Sequence, residues 1–204
     1  MKLYGAPKPA PNPRRVRMFL AEKGIELAET PIDLAKREHK SPEYRQKNSL
    51  GQIPTLELDD GTTISETVAI CRYFEELQLE PSMFGRTALE KAQVDMWVRR
   101  VEFQLMQPVG QFWRHAHPRT AGLLNQHKEF GESNRAAYSN AQRWLDGELA
   151  DGRPFIAGES LSMADICALS TIDFAHWIGL DIDPDRPHLS AWHERVKSRP
   201  SARA

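Results

Sequence analysis

Three stretches of the chain carry groups with chemistry to offer, and the first has no nucleophile of its own. Asn12-Pro13, followed by Arg14, Arg15 and Arg17, reads as a helix start, because Asn is a preferred N-cap and Pro fits the first helical position. A helix that opens soon after a strand presents backbone donors and a positive dipole end. The dipole disfavours cations there, so the three arginines are either solvated or partners of a bound anion. A thiolate is one such anion. A free thiol with pKa ~8.5 is only a few per cent ionised at neutral pH, and lowering that value by two units takes about 2.7 kcal/mol. Between Gly5 and Phe19 there is no Cys, Ser, Thr or Tyr, and Pro11-Asn12-Pro13-Arg14 stands where a dithiol exchanger needs Cys-x-x-Cys. Dithiol exchange at this turn is excluded. A thiolate used here has to arrive with the ligand.

The second stretch is Gly51-Gln52-Ile53-Pro54. A proline ahead of a strand is either an ordinary trans residue or the mark of a tight cis turn. The cis form would leave the Ile53 main-chain donor and acceptor free for an extended peptide. In the third stretch, Ser65-Glu66-Thr67 is either a plain helix start or a site for a zwitterion. Fresh helix donors would then hold its carboxylate and Glu66 its ammonium group. His115-Ala116-His117 is a weak metal motif, since residues two apart do not share a helix face. Trp97, Trp113, Trp144, Trp177 and Trp192 suit core or interface, and Cys71 and Cys167 fall on apolar stripes and read as buried. Phe103 and Trp113 line either an electrophile pocket or a helix contact.

The elements that hold these groups differ between the two halves. Lys2-Leu3-Tyr4 reads as a strand, Asn12 to Lys23-Gly24 as a helix, and Thr30–Asp33 as an edge strand. Thr55–Leu58 and Thr62–Ile64 flank Asp59-Asp60-Gly61 as a hairpin, and a helix follows with Val68, Cys71 and Phe74 on one stripe. This half is a small sheet with helices packed on it. Beyond 78–86 there is no convincing strand. Helical patterns run from Leu89 to about Arg114, with a break expected at Pro108, from about Gln126 to Leu149, and from His188 to Lys197. Ser162-Met163-Ala164-Asp165 has capping-box spacing. The second half reads as all-α. With 204 residues, 40% apolar, 27% charged and a net charge of -1, the composition is globular and lacks the basic surplus of a nucleic-acid binder. No stretch approaches the ~18 apolar residues of a membrane span, and two cysteines suit a reducing cytoplasm.

In this order and spacing, Met1–Tyr4, Asn12–Arg17 ahead of Ala21–Gly24, Gly51–Pro54, Leu56–Gly61, Ser65–Ile70 and Ser162–Asp165 resemble the cytosolic glutathione transferases over nearly the whole chain. The resemblance implies an α+β, thioredoxin-like N-terminal domain over 1–77, a linker over 78–86 and an all-α helical bundle over 87–204. It also implies a cis Pro54 and a homodimer. Glutathione would lie along the Ile53 backbone beside Pro54, its γ-glutamyl end on Glu66 and Thr67. Lys36, His39, Lys40 and Gln52 are the candidates for the glycyl end, with His39, Lys40 and Gln52 favoured. Ala10 stands where family members usually place a Tyr, Ser or Cys, a departure shared with some bacterial and fungal branches. Ionisation of the thiol is therefore assigned to the Asn12–Arg14 helix start. Arg114 or His115, in the run Phe112-Trp113-Arg114-His115, assists from the long helix that faces the cleft in this family. The expected activity is attack of the glutathione thiolate on a small hydrophobic electrophile, with no metal, nucleic acid or membrane partner. The alternatives are a glutathione or hydrophobe carrier, and peroxide reduction or isomerisation in the same site.

Overall fold

The computed structural model describes all residues from Met1 to Ala204. They form two compact units, Met1–Ser82 with Pro200–Ala204, and Met83–Arg199. The last five residues thus group with the first unit rather than with the helical domain expected over 87–204. The reason lies in α1 (Pro11–Lys23): Arg14 Nη2 donates to the Ala202 carbonyl at 2.9 Å, and Glu22 accepts a hydrogen bond from Ser201.

In the first unit, β1 (Lys2–Gly5), α1 and β2 (Glu29–Pro31) precede α2 (Pro42–Lys47), β3 (Thr55–Glu57), β4 (Thr63–Ser65) and α3 (Thr67–Leu77). The sheet order is β2-β1-β3-β4. β1 runs parallel to β2 across the α1 crossover, and the other pairs are antiparallel. Pro31 closes β2, an edge strand, where a missing donor is tolerated. Leu3, Val16, Phe19, Leu56, Ile70 and Phe74 are 1% exposed or less. Each such side chain contributes roughly 1.5–3 kcal/mol by leaving water. α1 ends at Gly24, whose φ of 65° is the left-handed C-cap that favours glycine. Lys23 is buried rather than lying over the helix end. Its ammonium pairs with Glu75 at 2.8 Å and donates to the Gln78 and Pro81 carbonyls at 2.6 and 2.9 Å. α2 has no counterpart in the sequence reading, although Ser41 caps it by accepting from Tyr44 N–H at 3.1 Å, with Pro42 at its first position.

The second unit contains α4 (Ala88–Arg100), α5 (Gln107–His115), α6 (Lys128–Glu148), α7 (Met163–Trp177) and α8 (Pro187–Lys197). The break in the first long pattern differs from the expectation of a kink at Pro108. Val101–Met106 form a π-helical turn, in which Gln107 N–H reaches back to the Glu102 carbonyl. Pro108 cannot donate to the carbonyl four residues before it, and the wider turn accommodates that loss upstream. α7 is buried from Met163 to Ile172, as suits a helix surrounded by others. At its start, Asp165 is fully buried and accepts from Ile156 N–H (2.8 Å), Ser162 N–H (2.9 Å), Ser162 Oγ (2.8 Å) and Trp192 Nε1 (2.8 Å). Burial pushes the Asp165 carboxyl up, against the pull of those donors. One side chain therefore ties the α7 N-terminus to α8 and to the segment before it. Asp165→Ala orphans several buried donors, each costing about 1–3 kcal/mol. It is expected to lower stability by about 3–5 kcal/mol in urea unfolding, against about 1 kcal/mol for Ser162→Ala.

Candidate functional site

The strand register brings the three chemical stretches to one end of the sheet. Tyr4 pairs with Thr55, and Thr55 pairs with Ser65. β1 therefore leaves toward α1, β3 enters directly from Pro54, and β4 leaves into Glu66-Thr67, all at the same end. Neighbouring strands lie about 4.8 Å apart, so the three segments sit within the span of a short peptide.

At the mouth of α1 the N-cap is Ala10 (φ -59°, ψ 112°), not Asn12 as the sequence suggests, and Pro11 takes the first helical position. Both prolines then fall within the first turn, where an N–H has no intrahelical partner in any case. Asn12 is left with the single backbone N–H of the first three helical residues. Its half-buried side-chain amide has no partner within the chain. Of the two readings of the arginines, the solvated one does not hold at Arg14 and Arg15, which are 9% and 1% exposed. Arg14 is turned toward the Ala202 carbonyl, and Arg17 toward the Ala6 carbonyl and Glu29.

The Ile53–Pro54 peptide is cis, and neither the N–H nor the C=O of Ile53 has a hydrogen-bond partner in the chain. Glu66 is no ordinary cap. It has φ 71° and ψ 122° with no capping hydrogen bond, a conformation that costs a non-glycine residue about 1–3 kcal/mol and tends to persist at ligand sites. Its exposed carboxylate is unpartnered, and Thr67, 7% exposed, opens α3 beside it.

The expected glycyl-end groups divide. Lys36 is exposed and pairs with Asp33 at 3.5 Å. Lys40 donates to the Leu50 and Gly51 carbonyls at 3.1 and 2.6 Å, so it fastens the loop before Pro54. The carbonyls of a tight turn need donors, and Lys40 is in reach; these two bonds use two of its three ammonium donors. Gln52 is exposed with an unpartnered amide. His39 is half-buried with no partner for Nδ1, and burial, with Lys40 and Arg37 adding to it, holds its pKa below the usual histidine range.

In the second unit, Arg114 is exposed and its guanidinium has no partner. His115 faces α6: its Nδ1 accepts from His127 N–H at 3.3 Å, and its ring lies 5.4 Å from Phe130. That bond fixes the proton on Nε2. Phe103 and Trp113 do not share a wall. Phe103, 59% exposed, lines a groove of about 820 Å³ with Gln107, Phe130, Asn134 and Trp144. Trp113 clusters with His117, Phe174 and Trp177 at 4.8, 5.4 and 5.6 Å. The π turn between them changes the phase of α5 relative to α4. The sequence reading also passed over Tyr44, Asn48 and Thr55, which support the Pro54 turn from behind. No helical spacing signals them, because Ser41 and Asn48 on either side of α2 are extended. The cysteines are both buried and unbridged, and no helix is long and apolar enough to cross a membrane.

Comparison with known proteins agrees with this geometry. Residues 10–77 match the family model "Glutathione S-transferase, N-terminal domain" and residues 125–200 match "Glutathione S-transferase, C-terminal domain". The chain is 39% identical over 210 residues to glutathione S-transferase 2 of Saccharomyces cerevisiae, covering 100% of this chain and 88% of that protein. It is 32% identical over 187 residues to human glutathione S-transferase theta-2, covering 91% and 76%. Among solved structures, Gtt2 of Saccharomyces cerevisiae superposes with a TM-score of 0.92 at 38% identity, covering 100% and 99%. A glutathione S-transferase domain-containing protein of Marinobacter aquaeolei gives 0.92 at 35%, covering 98% and 99%. With its α+β sheet unit, its all-helical unit and relatives of this identity over its full length, the chain belongs to the glutathione S-transferase family.

Proposed function

We propose that this glutathione transferase conjugates the thiolate of glutathione to a small hydrophobic electrophile. One observation carries the reading. Three sets of uncommitted hydrogen-bonding groups converge at one end of the sheet: the Ile53 main chain, the Glu66 carboxylate with the start of α3, and the mouth of α1 with Asn12. Glutathione is an extended peptide with an ammonium and a carboxylate at its γ-glutamyl end. In this proposal Glu66 takes the ammonium and the Thr67 end of α3 the carboxylate. Ile53 pairs with the cysteinyl main chain, and Gln52 and His39 take the glycyl carboxylate.

The sulfur then lies at the mouth of α1 near Ala10. There the Asn12 N–H, its side-chain amide and the helix dipole favour the anion over the thiol. Arg14 acts as a positioning residue, anchoring the first turn of α1 through Ala202. His115 holds the start of α6 and takes a lesser part. In the reaction the thiol loses its proton to solvent, and the sulfur lone pair forms the new bond to carbon. A leaving group such as chloride departs with its electron pair. The protein contributes orientation and electrostatic stabilisation and forms no covalent intermediate.

Homodimerisation is part of the same proposal. Leu89, Met96 and Phe103, seven residues apart, are 68%, 39% and 59% exposed, and Phe130 beside the groove is 52% exposed. Apolar exposure of this extent and regularity favours a second copy as cover. Two unbridged cysteines favour the cytoplasm as the compartment.

The missing first-loop hydroxyl favours one competing reading, a carrier that binds glutathione without turning it over. Turnover of an aromatic chloride with glutathione separates the two: conjugation is expected, and tight binding without turnover would establish the carrier. Loss of a charge-assisted hydrogen bond makes Glu66→Ala expected to raise the KM for glutathione about ten- to a hundredfold. Phe103→Glu is expected to shift the sedimenting species from dimer to monomer.

A further inference from the structure

Lys40, Tyr44 and Asn48 come from the 3-10 turn Glu38–Lys40, from α2 and from its extended C-terminal cap, and their hydrogen bonds line them up as one polar stripe. Each sends its polar end to the main chain just before Pro54. Lys40 Nζ donates to the Leu50 and Gly51 carbonyls at 3.1 and 2.6 Å. The Tyr44 hydroxyl and Asn48 Nδ2 both donate to the Gln52 carbonyl at 2.9 Å. Asn48 Oδ1 accepts from Leu50 N–H at 3.1 Å. Three consecutive carbonyls therefore face one stripe, and the next residue, Ile53, keeps both main-chain groups uncommitted.

The approach is close. Gly51 has φ 57°, and a Cβ there would lie 2.5 Å from the His39 carbonyl oxygen. Tyr44 has one hydroxyl proton and the Gln52 carbonyl can only accept, so in the 2.9 Å contact between Tyr44 and Thr55 the Thr55 hydroxyl is the donor. Tyr44, Asn48 and Thr55 are 5%, 5% and 0% exposed. Burial pushes the Tyr44 phenol above its usual range, which keeps it a donor at neutral and mildly alkaline pH.

We infer that Tyr44, with Asn48 and Lys40 on the same stripe, is a positioning residue for glutathione: by fixing the carbonyls of residues 50–52 it aims the Gln52 amide and the Ile53 main chain at the peptide. The inference rests on reading this end of the sheet as the glutathione site. Its consequence is a separation of binding from chemistry. The stripe governs how well glutathione is held, while ionisation of the sulfur belongs to α1.

The test compares a variant that removes the Tyr44 hydroxyl with one that removes only its Thr55 partner. Tyr44→Phe takes one of the two 2.9 Å donors from the Gln52 carbonyl and leaves Asn48 Nδ2. It is expected to raise the calorimetric Kd and the KM for glutathione about five- to tenfold, with kcat at saturating glutathione and the pKa of the bound thiol unchanged. Thr55→Val removes the other partner of the hydroxyl, together with the 3.3 Å contact to Asn48 Nδ2 and the 3.5 Å contact to the Gln52 carbonyl, and leaves both 2.9 Å donors on that carbonyl. It is expected to lower the Tm while leaving the Kd at the wild-type value. Lys40→Met loosens the same segment from its half-buried rim. It is expected to raise the Kd with kcat retained, which keeps the test open should Tyr44→Phe not fold. An unchanged Kd in Tyr44→Phe and Lys40→Met overturns the inference. So does an equal rise in Kd for Tyr44→Phe and Thr55→Val, or a fall in kcat as large as the rise in KM. A wild-type chain that fails to bind glutathione in the same calorimeter overturns the glutathione reading itself.

Discussion

With proline at positions 11 and 13, the first three residues of α1 own a single backbone N–H, that of Asn12. The side chain at Ala10 cannot replace a hydroxyl, and no Cys, Ser, Thr or Tyr lies between Gly5 and Phe19. A nucleophile at this mouth has to be brought by the ligand, and whatever ionises it has to be a dipole, an amide or a cation rather than a base. The helix supplies the equivalent of roughly half a positive charge. That charge acts only over the first turn, so the position of α1 relative to the sheet controls the effect. Arg14 helps to set that position from inside the fold through the Ala202 carbonyl. Ser201 and Glu22 add a second tie between the tail and α1.

In the proposed binding mode, the same end of the sheet separates two tasks that a single residue often combines. Peptide recognition would fall to main-chain groups left without partners at Ile53 and to the unpartnered carboxylate of Glu66, held at positive φ. Sulfur chemistry would fall to α1. The two are joined by the register Tyr4, Thr55, Ser65. Thr55 is the shared element: it is paired in the sheet, is fully buried, and is hydrogen-bonded to Tyr44.

Much of this was legible in the sequence because local rules and global fold agree. The Asp59-Asp60-Gly61 hairpin, the Gly24 C-cap and the Asp165 cap each follow from residue type and spacing alone, and the structure contains all three. The failures are those of local windows. Two prolines both suit a first helical turn, so spacing could not separate an Asn12 cap from an Ala10 cap. The partner of Arg14 lies 188 residues away, beyond any window. A lysine in a loop shows its charge but not its acceptors, so the bonds of Lys40 to the Leu50 and Gly51 carbonyls were not legible. A proline announces a break without fixing where the helix yields, and here it yields upstream, at Val101–Met106. α2 was missed although Ser41-Pro42 carries the same N-cap and Pro logic used at α1.

The ultraviolet absorbance of the thiolate, followed against pH with glutathione bound to the wild-type protein, tests the central claim most directly. Ionisation supported by the α1 mouth is expected to give a midpoint about one to two units below the free thiol value of ~8.5. The shift should shrink in Asn12→Ala, each unit corresponding to about 1.36 kcal/mol. A midpoint equal to that of free glutathione, with binding retained, would contradict it.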